Sequence, residues 1–443
     1  MMKFFRFFFI LLISFSINYS SGQDKDSLRQ NIKIEGYSPL VFSLSALYGN
    51  RQTDQFSHTI GFNAGSAINS TAITLPFSFA VLGNNFINDV KKNQVSDHLL
   101  NKNAYEFSYD ASAFCTWAQD SFLFHSKAVY GIDVSTGNFT SVRFTDAAFN
   151  IIFYGNSHYA GLTADFGGTK LYSYNYDRIG FSAQKKLGGI NSSLEGGVKL
   201  SLLTIRNGLK LKLEHTTLFT EQNGEYLDAY YDFEYNQSDS ANKGRFQSDG
   251  AGISVDLHCS WLNQIQTTRF SFYINNLGIA AWNKNTSTFS ADSMIRFSGI
   301  NINNLLFSDT ASFIHYTIDS LFKNTGTSEQ HESKIFALPS TFSFLCSHSV
   351  SAKVLLNAGV SYRPYSDLLP LVFVKPQWIL SKSCEIGIPF SAGGSSRYAI
   401  GFDAMITIKK QFQIIAGSAN VLGILLPART TSSSLFLQTS FQF

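Results

Sequence analysis

The last nine residues, Leu435 to Phe443 (LFLQTSFQF), decide how the chain is read. Taken in twos, Leu435, Leu437, Thr439, Phe441 and Phe443 fall on one side, and Phe436, Gln438, Ser440 and Gln442 on the other. A strand sends alternate side chains to opposite faces, so this stretch has one largely apolar and one largely polar face. It then stops on a phenylalanine, where a soluble domain would usually fray. A terminal strand of this kind is expected to close a transmembrane β-barrel. An amphipathic strand in a soluble sandwich is the competing reading.

The start of the chain decides between them. Lys3 and Arg6 precede an apolar run from Phe7 to Ile17, followed by the small residues Ser20, Ser21 and Gly22. This is the pattern of a secretory signal peptide. Cleavage is expected after Gly22, leaving 443 − 22 = 421 residues. The run is shorter than the roughly 20 residues that a bilayer-crossing helix needs. No cysteine follows it, so lipoprotein processing is not expected. The expected organisation is a leader over 1–22, a periplasmic lead over 23–36 and a barrel over 37–443.

Composition agrees. Aromatic residues make up 15% of the chain and charged residues 15%, against roughly 25% charged in ordinary soluble domains. Mean hydropathy is −0.00, the average expected when apolar and polar residues alternate along every strand. The net charge of +3 falls to 3 − 2 = +1 without Lys3 and Arg6. That balance speaks against nucleic acid or an anionic surface as a main partner. Cys115, Cys259, Cys346 and Cys384 are widely spaced, with no metal-binding pattern. They read as small hydrophobes on strand faces.

Alternating runs recur along the chain. The longest sets Tyr105, Phe107, Tyr109, Ala111, Ala113, Cys115 and Trp117 against Glu106, Ser108, Asp110, Ser112 and Thr116, with Phe114 the one apolar intruder. A short Gln119-Asp120 turn is expected to lead into a run ending at Ile132. Further runs begin at Leu40, Leu209, Leu227, Ile253, Val354 and Ile400. A basic residue facing lipid near the midplane costs roughly 2–4 kcal/mol, which explains why one face of each run lacks charge. At about 9–11 residues per transmembrane strand, the chain accommodates an all-β, up-and-down antiparallel barrel of about 14 strands, with 16 as the alternative. Two segments have helical patterns, Thr145 to Tyr154 with its N-cap at Thr145 or Asp146, and Ser308 to Lys323. Asn236 to Ser248 reads as a long polar loop.

The search for chemistry yields little. The motifs of serine hydrolases, zinc proteases, phosphate-binding loops and calcium loops are absent. No catalytic, cofactor-binding or metal residue is assigned, and no enzyme activity is expected. His125 and His258, each near an aspartate in sequence (Asp133, Asp256), are where a barrel hydrolase would be sought. The related stretches Asn275 to Ile279 and Asn420 to Ile424 read as the same strand-to-turn corner used twice.

At these corners the chain resembles an uncharacterised domain-of-unknown-function family of Bacteroidota-type outer-membrane β-barrels. That family looks related to FadL-type transporters and to the PorV and PorP/SprF proteins of type IX secretion and gliding. The matching stretches are Gly250 to Trp261, Phe272 to Trp282, Phe297 to Leu306, Ala337 to Phe344 and Ala419 to Pro427. The Asn-Pro-Ala motif usual near the start of such barrels is absent. The resemblance implies a barrel in the bacterial outer membrane and supplies no site. Two functions follow as expectations. One is a channel or FadL-like conduit for a small or hydrophobic molecule. The other is a non-conducting accessory or anchoring subunit of a secretion or gliding apparatus. Expected partners are outer-membrane lipids, the barrel-assembly machinery through Leu435 to Phe443, and other envelope proteins, with no nucleic acid and no cofactor.

Overall fold

The computed structural model describes residues 58–119, 128–187, 194–239, 248–263, 267–298, 328–366, 368–409 and 411–443. Strands are numbered β1 to β22 along the chain. The wall follows chain order through β1 (His58–Ser70), β2 (Lys102–Gln119), β3 (Ala128–Thr145), β5 (Lys170–Lys186), β6 (Leu194–Leu213), β9 (Gly250–Leu262) and β10 (Thr268–Trp282). It continues through β14 (Thr341–Ser351), β15 (Val354–Tyr362) and β16 (Leu371–Ser381). Two interrupted strands come next, β17 with β18 (Cys384–Gly387, Phe390–Gly393) and β19 with β20 (Ser396–Ile400, Phe402–Ile408). β21 (Phe412–Ser418) and β22 (Ser432–Gln442) finish it. Each pairs antiparallel with the next, and β22 returns to β1 from Thr59 opposite Gln442 to Asn69 opposite Ser432. The result is a closed barrel of 14 strands, so the count of 16 is set aside. His58 and Phe443 exchange both backbone hydrogen bonds at 3.1 Å, and their rings stack at 5.5 Å. Closure leaves no free edge in the wall.

The barrel is inverted relative to a soluble protein. Leu435, Leu437, Phe441 and Phe443 point outward and are exposed, while Phe436, Gln438 and Ser440 are buried inside. On β6, Leu200 and Leu202 are 58% and 68% exposed, and Lys199 between their neighbours is 1% exposed. The expected alternation on β2 holds too, with Glu106, Ser112 and Thr116 buried. Phe114, the intruder, lies over Gly61, where a Cβ would collide with its ring. The four cysteines are free and partly or fully exposed, as small hydrophobes on the outer face.

Both described ends of the barrel chain, at His58 and Phe443, lie at the short-turn end, where the β14–β15 and β16–β17 links are tight. The other end carries the long loops. Helices α1 (Leu75–Leu82) and α2 (Asp89–Ser96) join β1 to β2, and the sequence reading had missed both. Pro76 at the start of α1 suits a first helical turn, and Asn88 caps α2 by accepting from the Lys91 amide. The expected helix at Thr145 forms as α3 (Asp146–Tyr154), with the Thr145 hydroxyl accepting from the Ala148 amide at 3.1 Å. Phe77, Val95, Phe144 and Phe149 pack these helices together.

Several expectations change. The run at Leu227 is not a wall strand. It is β8 (Leu227–Gln237), which pairs with the tip of β6, with β7 (Thr217–Thr220) and with β11 (Ser287–Phe297) in a flap beyond the wall. β4 (Thr163–Asp165) and β12 (Ser328–His331) extend it. Alternation could not separate this strand from the wall, because any antiparallel strand with one drier and one wetter face alternates in the same way. The β2–β3 register sets Gln119 opposite Ala128, so Gln119 belongs to the strand and not to the expected turn; residues 120–127 lie outside the described residues. Asn275 to Ile279 is not a corner but a bulge inside β10. Ile274 pairs with Leu257 and Leu277 with Val255, so two residues oppose Asp256. Asn276 there has φ +59°, a conformation asparagine tolerates. Asn420 to Ile424 does form a corner, leading into the short helix α4 (Leu422–Leu425). The expected leader, lead and first strand (1–57), the helix at Ser308 to Lys323 and His125 lie outside the described residues.

Candidate functional site

The lumen has a floor, a shelf and a strap. The floor is ionic. Lys199 lies 3.2 Å from Asp133 and 3.3 Å from Asp256, and all three are buried. Lys375 pairs with Asp403 at 3.2 Å, and Gln377 donates to Glu385 at 2.7 Å. Asp256 also accepts the Asn276 amide freed by the bulge in β10. Gly180 faces this layer, and a Cβ there would collide with the Asp133 carboxylate. A buried charge survives only when paired and hydrogen-bonded, so these groups hold one another in place and fill the lumen.

Above the floor the interior turns aromatic. Phe139, Tyr172, Tyr174, Trp282 and Phe336 pack with Leu203 and Ile205. The same inward positions that carry charge lower on β6 carry Leu203 and Ile205 here. Tyr176 donates to Asp110 at 2.8 Å, and the same carboxylate lies 3.7 Å from Arg178, which donates to Ser135.

The strap is formed by residues 363–366 and 368–370, between β15 and β16. These residues fold inward instead of outward. β15 is the ninth wall strand and β2 the second, so they stand 9 − 2 = 7 strands apart in a ring of 14. Arg363 reaches across that width to Glu106 on β2, with Nη1 2.6 Å from Oε1, and donates through Nε to Thr341 at 3.1 Å. Its guanidinium lies 5.3 Å from the centre of the Phe139 ring. Tyr365 packs on Tyr172 at 4.8 Å and on Phe139 at 6.4 Å. Burial pushes the Tyr365 hydroxyl up to about 12, against the hydrogen bond with Tyr172, which lowers it.

Beside the strap is a half-open cavity of about 270 Å³. Phe139, Tyr174, Tyr176, Leu369 and Leu371 give it a mostly apolar wall. Glu106, Asp110, Arg178 and Arg363 line it as well, with the amides of Asn275, Asn276 and Asn420. Three of the resembling stretches, Gly250 to Trp261, Phe272 to Trp282 and Ala337 to Phe344, come together here. β9, β10 and the segment leading through β13 (Ile335–Ala337) into β14 are adjacent strands at the bulge, where Ser340 donates to the Asn276 carbonyl.

His258 does point into the lumen, but its ring stacks on Tyr273 at 4.7 Å, and the nearby Asp256 is engaged by Lys199. Glu106 and Asp110 stood on the polar face of the longest alternating run. Nothing in the sequence singled out Arg363, because its role depends on a loop turning inward.

Residues 52–418 match a family of unknown function, DUF5723, and the chain belongs to it. No curated protein sequence matches the chain. Among solved structures, it is similar to a mutant of the monoaromatic hydrocarbon channel TodX (7% identity, 87% of this chain and 90% of that one, TM-score 0.43). It is similar to a FadL homologue from Pseudomonas aeruginosa (9%, 87% and 90%, TM-score 0.42). It is also similar to the translocator domain of the autotransporter NalP from Neisseria meningitidis (7%, 90% and 93%, TM-score 0.34).

Proposed function

We propose that this member of the DUF5723 family is an outer-membrane β-barrel that admits a small molecule with an apolar body at its long-loop end. It is a gated, FadL-like conduit rather than a standing pore, and not an enzyme. The apolar outer face and closed wall are what a bilayer requires, since each described wall strand pairs with a neighbour on both sides. The observation that carries the function is the cavity beside an inward strap, above a lumen filled by paired charges. The cavity is slightly smaller than the roughly 300–1,000 Å³ usual for drug-sized ligands, so its occupant is small. Passage then requires the strap and the ionic floor to part.

The test is a pair of measurements on purified, folded protein. In planar bilayers the barrel is expected to be almost silent. In liposomes it is expected to admit small aromatic molecules faster than empty vesicles do. A large steady conductance, or uptake no faster than in empty vesicles, would sink the proposal. A second reading, an accessory subunit anchoring secretion or gliding components, is favoured by the flap of β7, β8 and β11, which stands beyond the wall. It predicts co-purification with other envelope proteins that is lost when the flap is shortened, and no uptake at all.

A further inference from the structure

The charged side chains of the cavity cancel, and this limits what it holds. Among the described residues, four charged groups line it, Arg178, Arg363, Glu106 and Asp110. Each guanidinium already faces a carboxylate, Arg363 with Glu106 at 2.6 Å and Arg178 with Asp110 at 3.7 Å. An anion entering a mostly apolar cavity loses hydration worth several kcal/mol unless an unpaired cation replaces it. No unpaired guanidinium stands on this wall. An ammonium meets the mirror problem, since each carboxylate charge is already balanced by a guanidinium, with Glu106 Oε2 left only as a further acceptor. What the wall does offer is hydrogen-bond acceptors. The amide oxygens of Asn275 and Asn420 are buried and have no partner among the described residues. The Asn420 orientation is set by its amino group, which donates to the Ser432 carbonyl and hydroxyl. An unmade hydrogen bond at a buried acceptor is costly, and a ligand hydroxyl or amide N–H would relieve it.

We infer that the cavity selects an uncharged amphiphile, an apolar or aromatic body carrying a hydrogen-bond donor such as a hydroxyl, and rejects carboxylates and ammonium ions of the same shape. This rests on the cavity being the ligand site. Glu106 and Asp110 act as charge-compensating specificity residues, each cancelling an arginine that would otherwise recruit an anion.

Three probes share one body, namely 2-phenylethanol (neutral), phenylacetate (anionic) and 2-phenylethylamine (cationic). Each is titrated calorimetrically into the full-length protein in detergent micelles, with empty micelles as the reference. In the wild type the alcohol is expected to bind at least about tenfold tighter than either ion. Glu106→Gln leaves the Arg363 charge uncompensated, so phenylacetate should gain at least about tenfold and overtake the alcohol. Asp110→Asn should do the same through Arg178, and it carries the test if Glu106→Gln does not yield a heat-modifiable, folded band. Phenylacetate binding the wild type as tightly as the alcohol would overturn the inference. So would an unchanged phenylacetate affinity in both folded variants. If all three probes bind without charge preference, this inference falls and the ligand cavity stands. If none binds the folded wild type, both fall.

Discussion

Replacing Lys199 by methionine tests whether the ionic floor holds the barrel together. The Lys199 ammonium is 3.2 Å from Asp133 and 3.3 Å from Asp256, and it is 1% exposed. At an effective dielectric of about 20, each contact has a Coulomb energy of about 5 kcal/mol before desolvation is counted. Removing one member of a buried pair costs about 3–5 kcal/mol, because its partner stays buried and uncompensated. Here two carboxylates are stranded together, so the loss belongs at the upper end, about 5 kcal/mol. A stranded carboxylate escapes by binding a proton, which for an ordinary aspartate costs about 4 kcal/mol at pH 7 and about 1.5 kcal/mol at pH 5. The folded variant then binds more protons than the unfolded one, so its stability falls as pH rises. Urea unfolding from lipid vesicles, read by tryptophan fluorescence, is the assay. Lys199→Met should lose about 5 kcal/mol at pH 7.5 and much less at pH 5. The double variant Lys199→Met with Asp133→Asn should recover a large part of the loss, since the Asn276 amide still serves Asp256. A loss below about 1 kcal/mol at pH 7.5, or one independent of pH, would refute the reasoning.

At the β10 bulge, Asn276→Gly should be nearly neutral, whereas Asn276→Val should lose about 1–2 kcal/mol in the same assay, because its φ of +59° is hostile to a branched side chain. Gly180→Ala places a methyl against the Asp133 carboxylate; a loss of at least about 2 kcal/mol is expected, read as a lower temperature for the heat-modifiability shift. In the flap, the hydrogen bond from Arg296 holds the Asp228 carboxyl below its ordinary value, across the β8–β11 pairing. The stability this lends is complete above the ordinary carboxylate range and is lost as pH falls through the depressed value. Amide exchange in β8, corrected for its intrinsic pH dependence, should therefore hold steady from about pH 8 to pH 5 and quicken only below about pH 4. Arg296→Gln should abolish this acid-dependent step and quicken the exchange at the higher pH values as well.

Alternation is a local property, and the sequence alone carried it. Leu435 to Phe443 and the run from Tyr105 to Trp117 show their faces in a period of two, since each side chain's direction follows from its own backbone. That determined the barrel, its inverted surface and the polarity of its lumen. The helix at Asp146 was legible for the same reason, because its cap lies in its own first turn. Tertiary structure decided everything that depends on where a chain turns in space. β8 alternates as a wall strand does, yet stands in the flap, because pairing partners and not its own pattern placed it. Asn275 to Ile279 and Asn420 to Ile424 are alike in sequence, and one became a bulge and the other a corner. Arg363 stands 257 residues from Glu106, and only the inward turn of the chain after β15 brings them within 2.6 Å. A contact of this kind is long-range, and no window of sequence contains it.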